Sequence, residues 1–265
     1  MSAHAPALHV SVDGHGPPLV LLHGWAMHGG VFGRLIERLR DRFTLHAVDL
    51  PGHGRSRDSA VPLALDACVE AILAQVPQRA AWCGWSLGGL IALHAAATRP
   101  ARVSRLAMLC ASPRFVRDEQ GDSNGWRYGV SPEILHDFAT GLRQDYRGTL
   151  ERFVALEAFG SDHEKAEIRA LRDALFARGE PAAHVLADGL VLLETTDLRA
   201  ALAGLQMPSL WLGGRRDKLV DSRAMQLAAQ CAPQAAFRCL EHAGHAPFLT
   251  HAPDVATALT EFLDA

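Results

Sequence analysis

Lysine is almost missing from this chain: Lys165 and Lys218 are the only two in 265 residues. Arginine supplies the remaining base, and 26 basic against 29 acidic residues leave a net charge of −3. That balance offers no broad basic surface for nucleic acid or anionic lipid, so neither is expected as a partner. Cysteines are few and odd in number (Cys68, Cys83, Cys110, Cys231 and Cys239), with no C-x-x-C pair. The pattern argues against a disulfide framework or a zinc site and points to a reducing, cytoplasmic setting. No apolar run reaches transmembrane length, and Met1 to Pro6 lack a basic patch followed by an apolar stretch. Neither a membrane span nor a secretory signal is expected. Histidines are plentiful, yet H-E-x-x-H is absent, so His28 and His53 are not read as metal ligands. No G-x-G-x-x-G stands between a strand and a helix with an acid beyond it, so no nucleotide cofactor is expected either.

What is present is an alternation of short apolar runs and helical stripes. Leu8 to Val12 alternates, and the turn residues Asp13 to Pro17 after it suggest a hairpin with Pro18 to Leu22. Pro18–Leu22, Phe43–Leu50, Ala80–Cys83 and Val103–Cys110 read as strands, separated by helical spacing over Val31–Arg40, Leu65–Val76 and Leu87–Thr98. Strand, helix, strand, helix predicts an α/β fold with a mostly parallel sheet covered on both faces. From Ser131 to about Leu193 the pattern is helical only. Ser131-Pro132 is a capping pair, and Ser161-Asp162-His163-Glu164 reads as a capping box. Sheet character returns at Ser209–Leu212 and Ala236–Leu240, with helices over Ser222–Cys231 and Pro253–Leu263. The reading is one α/β core, residues 1–112 and 193–265, interrupted by a helical insert, 113–192. Gly121 to Gly125 is expected to be a flexible loop.

Chemistry concentrates at Gly84-Trp85-Ser86-Leu87-Gly88. A G-x-S-x-G between a strand and a helix is the context of a nucleophile elbow: small residues allow a sharp turn that lifts the serine hydroxyl above the sheet. A serine needs a base, and the base an orienting acid. Asp217 follows the strand Ser209–Leu212, and His245 follows Ala236–Leu240, giving the order Ser, Asp, His. His242 is the rival base. Asp221 is the rival acid, although its place suits capping of the next helix. The oxyanion needs donors as well. The backbone N–H of Leu87 is one, and the N–H of Trp25, in the loop after Pro18–Leu22, is the other. His23 would brace that loop.

Leu22-His23-Gly24-Trp25, Asp49 to Ser56, Gly84 to Gly89, Asp217 and Gly244-His245 together resemble the α/β-hydrolase superfamily, nearly end to end. Within it the chain is similar to the carboxylesterases of biotin synthesis. The matching stretches are Phe43 to Gly52, Trp82 to Leu90, Glu151-Arg152-Phe153-Val154-Ala155-Leu156 and His245 to Phe248, of which the Gly84-Trp85-Ser86 elbow and the Glu151–Leu156 stretch are the more particular. The resemblance implies hydrolysis of the methyl ester of a pimeloyl group on acyl carrier protein, with no cofactor and no metal, and with 113–192 as a lid. It implies Ser86, Asp217 and His245 as the catalytic triad. Trp25, Ser86, Leu87, Phe153, Val154, Ala155, Leu156, Glu157 and His245 would line the substrate site. An acidic carrier protein calls for a basic receptor, and Arg147, Arg152, Lys165 and Arg169 of the insert are the candidates for it. A monomer is expected. One departure is Val220-Asp221, where relatives carry proline after the valine. A general carboxylesterase for short acyl chains would share every reacting residue. A hydrolase-fold receptor would need a partner surface for which no mark is seen. A dehalogenase would need an aspartate in place of Ser86.

Overall fold

The computed structural model describes residues 8–118 and 125–265. Most of the loop expected at Gly121–Gly125 therefore lies outside the described residues. Among the described residues seven strands form one sheet: β1 (Val10–Gly14), β2 (Pro18–Leu22), β3 (Thr44–Val48), β4 (Ala80–Trp85), β5 (Val103–Leu109), β6 (Ser209–Gly214) and β7 (Ala235–Leu240). Their order is β1-β3-β2-β4-β5-β6-β7. All neighbours run parallel except β1 against β3. β4 is buried along its whole length, which is why its residues read as a run and not as an alternation.

The expected β1–β2 hairpin does not form. β2 takes parallel partners on both sides, β3 and β4, so no edge is left for β1. The turn residues instead carry the chain across to the far side of β3. Gly14 and Gly16 have φ of 85° and 113°, and a Cβ on either would strike the backbone of Arg40 or Arg42.

Helices α1 (Gly33–Leu39), α2 (Leu65–Leu73) and α3 (Leu87–Thr98) connect the first strands. Between β5 and β6 come α4 (Pro132–Gln144), α5 (Tyr146–Ala158), α6 (Glu164–Ala177) and α7 (Ala183–Thr195), with no strand among the described residues there. α8 (Ser222–Cys231), α9 (Pro247–Thr250) and α10 (Ala252–Asp264) complete the chain. Two start signals work differently from the sequence reading. Ser131 makes no side-chain cap bond, although Pro132 does open α4. Ser161 stands too early to cap α6. Its hydroxyl takes the His163 N–H (3.2 Å), Glu164 takes the Gly160 N–H, and the helix begins only at Glu164.

The α4–α7 block is joined to the core by buried polar contacts. Asp49, after β3, is fully buried and accepts the N–H groups of Gly29 and Arg55 at 2.8 Å each. It also receives Nη1 of Arg178, at the end of α6, at 3.0 and 3.1 Å. Burial pushes its carboxyl up, but His23, the two N–H groups and Arg178 outweigh this and hold it below the ordinary aspartate value. His28 accepts the Gly30 N–H at Nδ1, so Nε2 carries the proton and donates to the Ala174 carbonyl of α6 at 2.7 Å.

Arg178→Met leaves the Asp49 carboxylate buried with only two N–H groups. Breaking a fully buried pair costs roughly 3–5 kcal/mol; partial exposure of Arg178 discounts this to about 2 kcal/mol. Urea unfolding should show the loss, and an unchanged midpoint would mean that the pair does not hold the block in place.

Candidate active site

β4 and α3 meet at Ser86, whose φ of 53° and ψ of −122° are strained for a residue with a side chain. The turn is possible because neighbouring segments pass without Cβ atoms. A Cβ on Gly84 would stand 2.2 Å from the Gly88 carbonyl oxygen, and one on Gly88 2.3 Å from that of Leu22. Ser86 is thereby held at the mouth of α3, over the carboxyl ends of β2 and β4.

His245 follows β7 and is fully buried. Its Nδ1 lies 2.8 Å from Oδ2 of Asp217, which follows β6. A carboxylate only accepts, so Nδ1 carries the proton, and Nε2 is left as a free acceptor with no partner among the described residues. Oδ1 of Asp217 accepts the N–H groups of Leu219 (2.8 Å) and Val220 (2.9 Å), so both oxygens are oriented. The Trp85 indole donates to the His245 carbonyl at 2.8 Å and packs against its ring. The rivals have other duties. His242 is exposed and lies 2.9 Å from Asp162. Asp221 caps α8 through the Arg223 N–H and pairs with that arginine, so the departure from proline there supplies a helix cap.

Leu87 opens α3, where a backbone N–H has no intrahelical acceptor. The Trp25 N–H also has none among the described residues; the indole of Trp25 donates to the Leu186 carbonyl of α7 at 2.8 Å. Trp25's loop touches the serine: a Cβ on Gly24 would lie 3.1 Å from Cβ of Ser86. The loop of Trp25 and the start of α3 thus meet at Ser86, each carrying an N–H with no acceptor among the described residues. His23 braces the loop. Its Nε2 accepts the Leu50 N–H (2.9 Å), so Nδ1 donates to the Gly24 carbonyl (2.8 Å). Burial first, and His53 second, press its pKa down to about 3, so it stays neutral and serves as a fixed strut. His53 is pressed to about 4, chiefly by burial, and its Nδ1 donates to the Pro51 carbonyl.

The residues expected along α5 divide by helical period. Phe153, Val154 and Glu157 face inward and are buried, and Leu156 is half-buried. Ala155 is exposed on the opposite side, a correction to its expected place in the site. Phe153 meets Trp25 edge-on at 4.6 Å between ring centroids and Phe138 of α4 at 5.5 Å. Phe138 completes this aromatic wall, and nothing in its helical spacing sets it apart in the sequence. Of the basic residues, Lys165 and Arg169 lie one turn apart on α6 and make no ion pair among the described residues. Arg147 pairs with Glu180 and Arg152 with Asp145, and five residues of helix separate the two by about 140°. The four therefore do not share one helical stripe.

Close to the imidazole are three further buried groups. Cys110, after β5, places its Sγ within 4.8 Å of ligand atoms of Asp217 and His245, and burial pushes its thiol well above the ordinary value. Glu157 and Glu167 are both buried carboxylic acids. Burial, then Asp217, then Glu167 raise Glu157 far above the usual carboxylate range. Glu167 is raised by burial against the opposing pull of its hydroxyl donors. Glu167 was not legible as a site residue, because nothing in its helical spacing says that α6 meets the histidine loop.

A serine at a strand–helix elbow, and an acid–histidine pair after two later strands of a parallel sheet, are the arrangement that α/β hydrolases use. The chain belongs to the α/β-hydrolase family: the family model described as alpha/beta hydrolase fold matches residues 17–252. It is 56% identical over 258 residues to a Xanthomonas campestris protein named pimeloyl-[acyl-carrier protein] methyl ester esterase, covering 97% of this chain and 99% of that one. A Stenotrophomonas maltophilia protein of the same name is 54% identical, with 97% of each chain covered. Among solved structures, an esterase from Exiguobacterium antarcticum matches with a TM-score of 0.84 at 21% identity, over 97% of this chain and 96% of that one. At that identity the match speaks for the fold. No helix among the described residues is long and apolar enough to cross a membrane.

Gly24→Ala sets a methyl group against Ser86 and the Trp85 ring and so shifts the Trp25 N–H. Loss of one oxyanion donor costs about 10²–10³ in kcat, and partial displacement should cost at least about tenfold with KM little changed. Steady-state kinetics on p-nitrophenyl acetate measures this, and an unaltered kcat would remove Trp25 from the oxyanion hole.

Proposed function

We propose that this chain is a serine carboxylesterase that hydrolyses the methyl ester of pimeloyl-acyl carrier protein in biotin synthesis. The observation that carries the reading is identity above one half, over the full length, to esterases of that name. The Asp217–His245 hydrogen bond and the free Nε2 support the mechanism. Ser86 Oγ attacks the ester carbonyl while His245 Nε2 takes its proton, and the N–H groups of Trp25 and Leu87 receive the oxyanion. His245 returns the proton to the departing methanol. Water, deprotonated by His245, then releases the acid and restores Ser86. No cofactor enters any step.

The helical segment 113–192 acts as the lid. Trp25, Phe138 and Phe153 give it an apolar wall suited to a methylene chain, with Val154, Leu156 and Glu157 beyond. An acidic carrier protein docks on its outer face through Arg147, Arg152, Lys165 and Arg169, and the enzyme works as a cytoplasmic monomer. Lys165 and Arg169 pair with no acid among the described residues and are the freest of the four to take a partner's carboxylates. A general esterase for short acyl chains would use the same reacting residues and differs only in what the lid and its charges select.

Two measurements test this. Ser86→Ala should lower kcat by about 10⁴–10⁶ on any ester while leaving the circular dichroism spectrum intact; retained hydrolysis would end the serine mechanism. Lys165→Glu with Arg169→Glu should cut kcat/KM for the carrier-bound methyl ester by about tenfold or more at low salt, and that for a p-nitrophenyl ester by less than about twofold. Equal losses on both substrates would refute docking through these residues. Turnover of small esters with none of the carrier-bound ester would favour the general esterase.

A further inference from the structure

Two carboxylic acids of the helical block lie against the histidine loop, and the reaction above gives Glu167 no role. Glu167 on α6 is fully buried. Its Oε1 accepts the Ser161 hydroxyl at 2.8 Å and the Thr250 hydroxyl, while Oε2 has no hydrogen-bond partner among the described residues. Thr250 ends α9, five residues after His245. On the other flank stands Gly244, where a Cβ would lie 3.3 Å from Cβ of Ser161 and 3.5 Å from Oε2 of Glu167. Between these two flanks the His245 N–H donates to the backbone carbonyl of Glu157 on α5 at 3.3 Å. The histidine is thus gripped before, at and after its own position by one corner of the block, the α5–α6 turn.

We propose that Glu167 is a positioning residue for His245, clamping loop 244–250 to the α5–α6 turn through Thr250 and Ser161. The proposal rests on His245 being the base. Asp217 fixes one nitrogen of the imidazole and Trp85 holds the His245 carbonyl and Phe248 from the core side, but neither holds loop 244–250 on the side of the helical block. The Glu157 carbonyl and the Glu167–Thr250 contact supply that hold. The groups facing Glu167 are His245, Glu157 and Cys110 across the loop, His163 at the head of α6, and the hydroxyls of Ser161 and Thr250, the latter 3.0 Å from Nδ1 of His251. A clamp built from a side chain of the helical block also makes alignment of the base depend on that block being seated.

The test uses the whole enzyme and p-nitrophenyl acetate. A misplacement of about 1 Å in a reacting group costs up to ~10²-fold, so Glu167→Ala should lower kcat at least about tenfold, with KM within about twofold. Glu167→Gln keeps the acceptor for both hydroxyls and should hold kcat within about threefold of the parent. The proton between His245 Nδ1 and Asp217 gives a downfield resonance in proton NMR. That signal should broaden in Glu167→Ala and persist in Glu167→Gln. If Glu167→Ala does not fold, Thr250→Val removes the same grip from the other side and should show the same loss. Normal kcat and an unchanged resonance in Glu167→Ala or Thr250→Val would overturn the proposal, as would equal damage by Glu167→Gln. Failure of the serine mechanism is separate: it shows as activity surviving Ser86→Ala, whatever Glu167 does.

Discussion

Everything at this site depends on how closely β4, α3 and the loop after β2 approach one another around Ser86. The contact is backbone on backbone: Gly84 against Gly88, and Gly88 against the carbonyls of Leu22 and His23. At such distances no side chain larger than hydrogen fits. Ser86 accepts an unfavourable backbone conformation because the sheet and helix around it leave no other path. The close approach also brings Gly24, and with it the loop of Trp25, against Ser86, where α3 begins at Leu87. The strain at Ser86 and the seat of the Trp25 loop come from one packing constraint.

Around this rigid centre the helical block is wired to the core at points that serve the site. Asp49 receives Arg178 and also holds Gly29 in the loop that follows Trp25. His28 donates to α6, and the Trp25 indole to α7. The Glu157 carbonyl and the Glu167 side chain engage the loop of His245. The same residues that seat the block therefore also fix the two loops flanking the serine. These bonds are buried, where an unmade partner is costly, so the block has a defined seat and not a greasy one.

Much of the fold was legible because buried parallel strands and amphipathic helices leave different periods. β2, α3 and α8 begin and end where the sequence pattern says they do. Ser86, Asp217 and His245 stood out because glycines and strand ends mark them locally. The misreadings share a cause. A hairpin was expected from the turn residues 13–17, but the competition among β1, β3 and β4 for the edges of β2 is not a local property. Ser161 looked like a helix cap, yet its hydroxyl is drawn to Glu167. Ala155 lay inside a matching motif, yet the helical period turns it to solvent. α9, four residues long, is too short to leave a period at all.

The sequence by itself determined the class of fold, the helical insert, the elbow, and the order Ser, Asp, His, since each of these is written in neighbours a few residues apart. Only the tertiary structure paired His245 with Asp217 and gave His242 and Asp221 other partners. It also joined Asp49 to Arg178 across 129 positions and brought Glu167 to Thr250 across 83. A hydrogen bond between distant segments depends on how whole elements pack, and packing is set by the shape and burial of all of them together. A short run of residues carries its own backbone preference, but not the identity of what will lie against it.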